Sequence, residues 1–332
     1  MNTPKSAIAG MAVGLLLCVL VLVPFSMMKS EPLPETPFCE DGFNDVFVQE
    51  EFVALSEGPS MIVPTTVAYS PTPTGTLVKS VGSAVIDYSN ANQGYVMARY
   101  ENPGNVKIKA QIHGPTTTYT YNVAPDVWNT FPLSDGAGEY RIVVLKNVQG
   151  TKYAQVVSQK VSYTPENEFL PFIYSNQYVN FASAPNTCQT AAALIGEETN
   201  TLAKIEKVYD FVVNNFTYDK QKASSVKSGY LPVLDDVLAE KKGICFDYAA
   251  LMAGMLRSQG MPCKLVVGYA DTQYHAWISV YSEEYGWLDG AIYFNGSTWK
   301  RLDPTFASGG HGSASITSYI NDDSHYTAKF LY

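Results

Sequence analysis

Three kinds of hydrophobic pattern divide the chain. Ala7 to Met28 is a run of 22 residues without a charge, flanked by Lys5 and Lys29. Such a run is long enough to cross a bilayer as a helix and exceeds the apolar region of most signal peptides. No Ala-x-Ala cleavage site follows it, and Leu17 stands before Cys18 where a lipoprotein site wants a small residue. Residues 1–30 therefore read as an uncleaved anchor or an inefficiently cleaved signal, which puts the remainder outside the cytoplasm. Residues 31–65 begin with Glu31-Pro32-Leu33-Pro34-Glu35-Thr36-Pro37, a linker stiffened by proline.

From about Val67 to Tyr163 the pattern becomes short alternating runs separated by turn residues. Ser83 to Tyr88, Gly94 to Tyr100, Val106 to Ile112 and Tyr140 to Leu145 read as strands, with turns at Asn102-Pro103-Gly104-Asn105 and Ser134-Asp135-Gly136. Short strands at this spacing predict an all-β sandwich over residues 66–165. It holds no catalytic constellation, so its expected role is to position or bind something beside a catalytic domain.

Residues 166–332 mix helical and strand periods. Leu202, Ile205, Val208, Val212 and Phe216 share one face of a helix introduced by Asn200 or Thr201. Pro232 to Leu238 predicts a shorter helix with Pro232 in its first turn. The polar segment Lys220 to Gly229 between them is placed to border a cleft. Gly243 to Gln259 predicts a third helix, with Phe246, Ala249, Ala253 and Leu256 recurring at helical steps and Gly260 and Pro262 closing it. Lys264 to Tyr269 is a buried strand by composition, and Asp271 to Gln273 a polar turn. A second strand starts at His275, with His275, Trp277, Ser279 and Tyr281 on one face and Ala276, Ile278 and Val280 on the other. Trp287 and Trp299 to Asp303 bring the chain back as a third strand.

Chemistry concentrates between Lys242 and Thr305. Cys245 falls in the first turn of its helix, where unpaired N–H groups and the positive end of the dipole favour a thiolate and can hold an oxyanion. Gly243 leaves the approach to the sulfur open. His275 is a base able to take the thiol proton, and Asp303, in Asp303-Pro304, is a carboxylate able to accept the imidazole N–H. The intervals are 30 and 28 residues, enough to put each group on its own element. Tyr230 is a candidate hydroxyl donor to the oxyanion, and Tyr274 and Trp277 are candidate walls of the cleft; packing is the competing reading for all three.

The Gly-x-Cys-x-x-x-Ala-x-Leu helix stands here as Gly243, Cys245, Ala249 and Leu251, and its exit as Arg257, Gly260 and Pro262. With His275-Ala276-Trp277 and Asp303-Pro304-Thr305, these motifs resemble the transglutaminase-like superfamily, in its bacterial, extracytoplasmic type. The resemblance covers roughly residues 166–310. It implies an α+β papain-like core, preceded in this chain by the sandwich, and a Cys245–His275–Asp303 triad. The superfamily includes cross-linking enzymes, peptidases, deamidating enzymes and members without activity. The activity implied is thiol acyl transfer on protein or peptide amides through a thioester, giving cross-linking or deamidation. A thiol peptidase of the same fold and a non-catalytic surface-binding protein with a relic triad are the two alternatives.

Composition trims these options. A hydrophobic share of 46% and a charged share of 16% are globular, and a formal charge of −9 without a basic run argues against nucleic acid as a partner. No phosphate-binding glycine motif and no zinc-type Cys/His spacing occurs. The triad chemistry is complete in protein groups and calls for no cofactor. The expected partners are a protein or peptide substrate, by location a cell-envelope component, and the membrane through the N-terminal segment. His113, His311 and His325 carry no expected role. Cys39 and Cys188 are a pair that an oxidising compartment allows to bridge, and Cys263 reads as a packed free thiol.

Overall fold

The computed structural model describes residues 69–165, 167–282, 286–288, 293–294, 299–300 and 325–332. The membrane-length run at 7–28, the proline linker, Cys39, Asp303 and His311 lie outside the described residues. Among the described residues no helix is long and apolar enough to cross a membrane.

Eight antiparallel strands come first: β1 (Val78–Val81), β2 (Ala84–Asp87), β3 (Tyr95–Tyr100), β4 (Ile108–His113), β5 (Thr118–Asn122), β6 (Asn129–Pro132), β7 (Gly138–Gln149) and β8 (Lys152–Tyr163). They form two four-stranded sheets, ordered β1-β2-β3-β6 and β5-β4-β7-β8. Alternation explains the shared core. Ile86, Val96, Ala98 and Phe131 from one sheet and Ile108, Ala110, Ile112, Ile142 and Val144 from the other are all buried in it. The sheet is not one-sided, however. Val143, Leu145 and Tyr153 form a second small cluster, with the Lys109 ammonium 5.2 Å from the centre of the Tyr153 ring.

Helices follow: α1 (Pro185–Ile195), α2 (Thr201–Asn215), α3 (Lys220–Ser225), α4 (Leu234–Glu240) and α5 (Cys245–Ser258), with short strands β9 (Thr217–Tyr218) and β10 (Lys242–Gly243) between them. Then come β11 (Cys263–Ala270), β12 (Gln273–Ser282), β13 (Gly286–Leu288), β14 (Tyr293–Phe294), β15 (Trp299–Lys300) and β16 (Tyr326–Leu331). The main sheet is antiparallel in the order β13-β12-β11-β16, and α5 packs on β11 and β12 with α1, α2 and α4 around it. A helix-and-sheet core therefore follows a strand-rich unit.

Several expectations shift. The apolar face of α5 is in fact an apolar circumference, because every residue from Cys245 to Arg257 is buried. The helix starts at Cys245 rather than Gly243, because Gly243 pairs with Tyr218 as a strand and Ile244 is extended. In α4, Pro232 precedes the helix instead of opening it, and Val233 is the cap. The polar segment at 220–229 begins with α3, whose Lys222 N–H is capped by Asp219 Oδ1 at 2.9 Å. Asn200, not Thr201, caps α2, accepting the Ala203 N–H at 3.0 Å.

Among the elements that escaped the sequence reading are α1 and β16. α1 has no strong periodicity, and its N-terminus is closed from a distance: Asp235 of α4 accepts the Asn186 and Thr187 N–H groups at 3.1 and 2.8 Å. Strand β16, preceded by His325, makes the other edge of the main sheet beside β11. Trp299 does return as a strand, but among the described residues β15 pairs only with β14.

One aromatic seam joins the two halves. Tyr174 lies 4.7 Å from the Tyr95 ring of β3, and its hydroxyl donates to Gln93 Oε1 at 3.2 Å. Tyr119 and Tyr121 of β5 meet Tyr332 at 5.7 and 5.9 Å, and Tyr332 stacks on Tyr178 at 4.1 Å.

Candidate active site

Local chain geometry delivers Cys245 to the head of the central helix. β9 and β10 pair in parallel, Gly243 opposite Tyr218, and the Asp219 N–H donates to the Gly243 carbonyl at 2.8 Å. The chain then turns at Ile244 (φ −102°, ψ 175°) straight into α5. Ile244 has no side-chain oxygen to offer the first-turn amides, unlike the usual Ser, Thr, Asp or Asn cap. Only half of a capping box is present: Asp247 Oδ2 accepts the Ile244 N–H at 2.8 Å. The absence of a side chain at Gly243 is what makes room for it, because a Cβ there would stand 2.6 Å from the Cβ of Asp247. The open approach expected from Gly243 is thus filled by Asp247.

Asp247 is fully buried, and its two oxygens are held by ionic and neutral donors together. Lys222 Nζ lies 2.7 Å from Oδ2, and the Tyr230 hydroxyl donates to Oδ1 at 2.5 Å. Lys222 also donates to the Tyr230 oxygen at 2.6 Å and sits 4.5 Å from its ring centre. Burial, followed by the adjacent carboxylate, pushes the Tyr230 hydroxyl far above its ordinary value, so it stays a donor. Its proton is directed at Asp247, which leaves its proposed service to an oxyanion dependent on a rearrangement.

His275 does not open its strand. The hairpin turn is only Asp271-Thr272, with Asp271 at φ 51°, so Ala270 already pairs with Gln273 and His275 is the third residue of β12. It lies opposite Gly268 of β11, at the end of β12 away from β13, which pairs with Val280, Tyr281 and Ser282. Gly268 is needed for a separate reason. A Cβ there would collide with the Thr327 carbonyl of β16, where the pairing slips by one residue.

The His275 face is aromatic. Its ring lies 6.2 Å from Trp277 in a stacked orientation and 6.5 Å from Tyr326, which meets Trp277 edge-on at 5.2 Å. Trp277 is therefore a packing partner of the histidine. Tyr274 stands edge-on to Tyr269 at 5.5 Å, and its hydroxyl is raised well above the ordinary value by burial, then by Tyr178, Tyr269 and Cys245. Cys245 and His275 are both closed to solvent, at 0% and 1% exposure. Asp303 lies outside the described residues, so its place relative to His275 is not described.

The other described thiols are distinct from this site. Cys263 is buried, and burial pushes it up to about 12. Cys188 is likewise a free buried thiol, raised by burial, whose Sγ lies 3.4 Å from the Phe181 carbonyl oxygen. Cys39, its expected partner, lies outside the described residues, and among the described residues Cys188 has no bridge. His113 contacts Thr118 and Arg141, and His325 Nδ1 lies 2.7 Å from Asp271 Oδ1 at the hairpin turn. Among the described residues no cluster of three or more His, Cys, Asp or Glu side chains could hold a metal ion.

Sequence reasoning missed Asp247, Lys222 and Tyr326. The signal for Asp247 was an acidic residue three positions after the cap, the capping-box spacing. Nothing local marked Lys222 or Tyr326, which reach the site by tertiary packing.

Comparison with known proteins agrees with the motifs. Residues 188–289 match the transglutaminase-like superfamily. The uncharacterized protein YebA of Bacillus subtilis is 27% identical over 182 residues, covering 47% of this chain and 24% of YebA, so the match spans about a quarter of that relative. The periplasmic domain of TgpA from Pseudomonas aeruginosa, bound to ethylmercury, aligns at 15% identity over 69% of this chain and 97% of that one, with a TM-score of 0.32. Red sea bream transglutaminase aligns at 12% identity over 63% and 47%, with a TM-score of 0.27. Superpositions this loose add no weight; the sequence match and the motifs carry the assignment. Residues 188–289, the segment that bears Cys245 and His275, are thus similar to the core of the transglutaminase-like superfamily.

Proposed function

We propose that the chain is a cysteine-dependent acyl-transfer enzyme acting on protein or peptide amides. The observation that supports this most directly is the position of Cys245, first residue of the central helix of a transglutaminase-like core, with His275 on a strand against which that helix packs. In this reading the Cys245 thiolate attacks the amide carbonyl and first-turn N–H groups of α5 take up the oxyanion. His275 receives the thiol proton and returns it to the departing amine, and Asp303 orients the imidazole. Water then resolves the thioester to an acid, or a second amine resolves it to a new amide. The uncharged run at 7–28 favours an extracytoplasmic site of action, anchored or secreted, with envelope proteins or peptides as substrates.

The closed sulfur favours a second reading, a surface-binding protein with a relic triad. Alkylation separates the two. For the enzyme, Cys245 is expected to label with iodoacetamide well below the free-thiol value of about 8.5 and to lose that reactivity in His275→Ala. Cys263 and Cys188, both pushed upward, are expected to stay unlabelled in the folded protein near pH 7. Labelling that tracks an ordinary thiol in both proteins, or none at all, would favour the binder. If the thiol is activated, release of ammonia from glutamine peptides points to deamidation or cross-linking, and new peptide termini point to the thiol peptidase.

A further inference from the structure

Buried charge at the head of α5 has a consequence for Cys245 that the triad does not contain. Asp247 stands two residues after Cys245 and is fully buried, so its negative charge lies in the same turn as the sulfur and opposes ionisation there. An isolated carboxylate in that position would work against a thiolate. It is not isolated: Lys222 lies 2.7 Å away, and its side chain is about three-quarters buried.

We infer that Lys222, reaching from α3, is an electrostatic positioning residue for Cys245: it neutralises Asp247, so that Asp247 fixes the peptide ahead of the nucleophile without suppressing the thiolate. The inference rests on the proposed function and deepens it. Each member has a separable part. Asp247 anchors the Ile244 N–H, and with it the direction in which α5 begins. Tyr230 fills the second oxygen with a neutral donor that does not titrate in the working range. Lys222 bonds both partners and supplies the charge. The other titratable groups around this corner are Asp219, which caps α3 and holds Lys242 of β10 at 3.3 Å, Asp236 and Glu240 of α4, which act on Tyr230, and Tyr274 and His275 of β12 on the Cys245 side. None of these is a cation that could replace Lys222 at the Asp247 carboxylate.

The test is the pH of half-maximal Cys245 alkylation in the full chain, with Cys188 and Cys263 tracked by peptide mapping. Lys222→Met is expected to move that midpoint up by about one unit, which is about tenfold slower labelling at pH 6. Lys222→Arg restores most of the shift. The decisive protein is Lys222→Met with Asp247→Asn, in which neither charge remains: its midpoint returns toward wild type even though two network residues are gone. A structural role alone predicts the reverse, a double variant as slow as the single one or slower, and that result overturns the inference, as does a Lys222→Met profile that superimposes on wild type. Urea midpoints for every variant confirm folding. Failure of the enzyme reading shows separately. A wild-type midpoint near that of an ordinary thiol, unchanged in His275→Ala, refutes activation, while the midpoint difference between wild type and Lys222→Met still decides the role of Lys222.

Discussion

The sandwich and the helix-and-sheet core both bury polar side chains, but they use them on different targets. In the sandwich, Asp87 takes the Gly75 and Ser89 N–H groups at 2.7 and 2.9 Å, and Asp135 takes those of Thr116 and Thr117 at 2.6 and 2.8 Å. Asn129 accepts the Ala124 N–H at 2.9 Å and donates back to the Ala124 carbonyl at 3.0 Å. These side chains satisfy loop backbone, Asn129 within its own turn and Asp87 and Asp135 across to a loop 12 to 19 positions away. In the core, the two charged residues with no exposure, Asp247 and Arg257, lie on one helix, the one that begins with Cys245. Arg257 donates to the carbonyls of Cys263, Tyr174 and Tyr332, so it binds the end of α5 to β11, to the seam with the sandwich and to the residue after β16. Charges on α5 locate one rigid element against several others, which is what a reaction geometry requires.

The comparison breaks first at Arg257. Arg257→Ala removes every one of those bonds and leaves buried carbonyls without their donors, so a loss of roughly 3 kcal/mol or more is expected, read as a lower urea midpoint. A smaller effect is expected at Asp235, whose carboxylate caps α1 from α4: Asp235→Ala should cost about 1–2 kcal/mol and leave Cys245 alkylation unchanged. Asp87→Ala in the sandwich should cost about 1 kcal/mol, again without touching the thiol. An Asp87 variant that slowed Cys245 labelling as much as Lys222→Met would erase the distinction between the two regions.

How legible each region was follows from the range of the forces that build it. The strands over 84–87, 95–100 and 108–113 were legible as short β-prone runs between turn residues, although the structure buries nearly every position of each and not one face alone. α5 and β11 were legible for the same local reason, and the Cys245 and His275 contexts could be picked out from the residues around them. What stayed hidden depends on distant partners. α1 is capped by a residue 48 positions away. β16 is short and half-exposed, a strand chiefly because β11 is there to pair with it. His275 was misplaced by two residues because a tight turn with Asp271 in the left-handed region is a choice of backbone that an Asp-Thr-Gln stretch does not dictate. Lys222 looked like any solvated lysine until the fold brought Asp247 beneath it.

The smallest expected effect separates the two regions by pH. Cys263 of β11 sits at about 12 in the folded chain, against about 8.5 for a thiol in an unfolded one. The folded state therefore keeps a proton that the unfolded state releases, and stability falls as pH rises from about 8.5 toward 12. Tyr163 of β8 is also pushed up to about 12 by burial, but its unfolded value near 10 delays its contribution by more than a unit. Between pH 8 and 9.5 the decline accordingly belongs to the thiols of the core, Cys263 first and Cys188 beside it, and should stay near 1 kcal/mol. Urea titrations should show Cys263→Ala losing less stability than wild type across that interval, with the gap still widening toward pH 12, where the thiol ionises in the folded chain as well. Parallel curves from pH 8 onward would mean that Cys263 already exchanges its proton in the folded state, and that the packing of β11 against α5 and β12 is looser than its closed geometry implies.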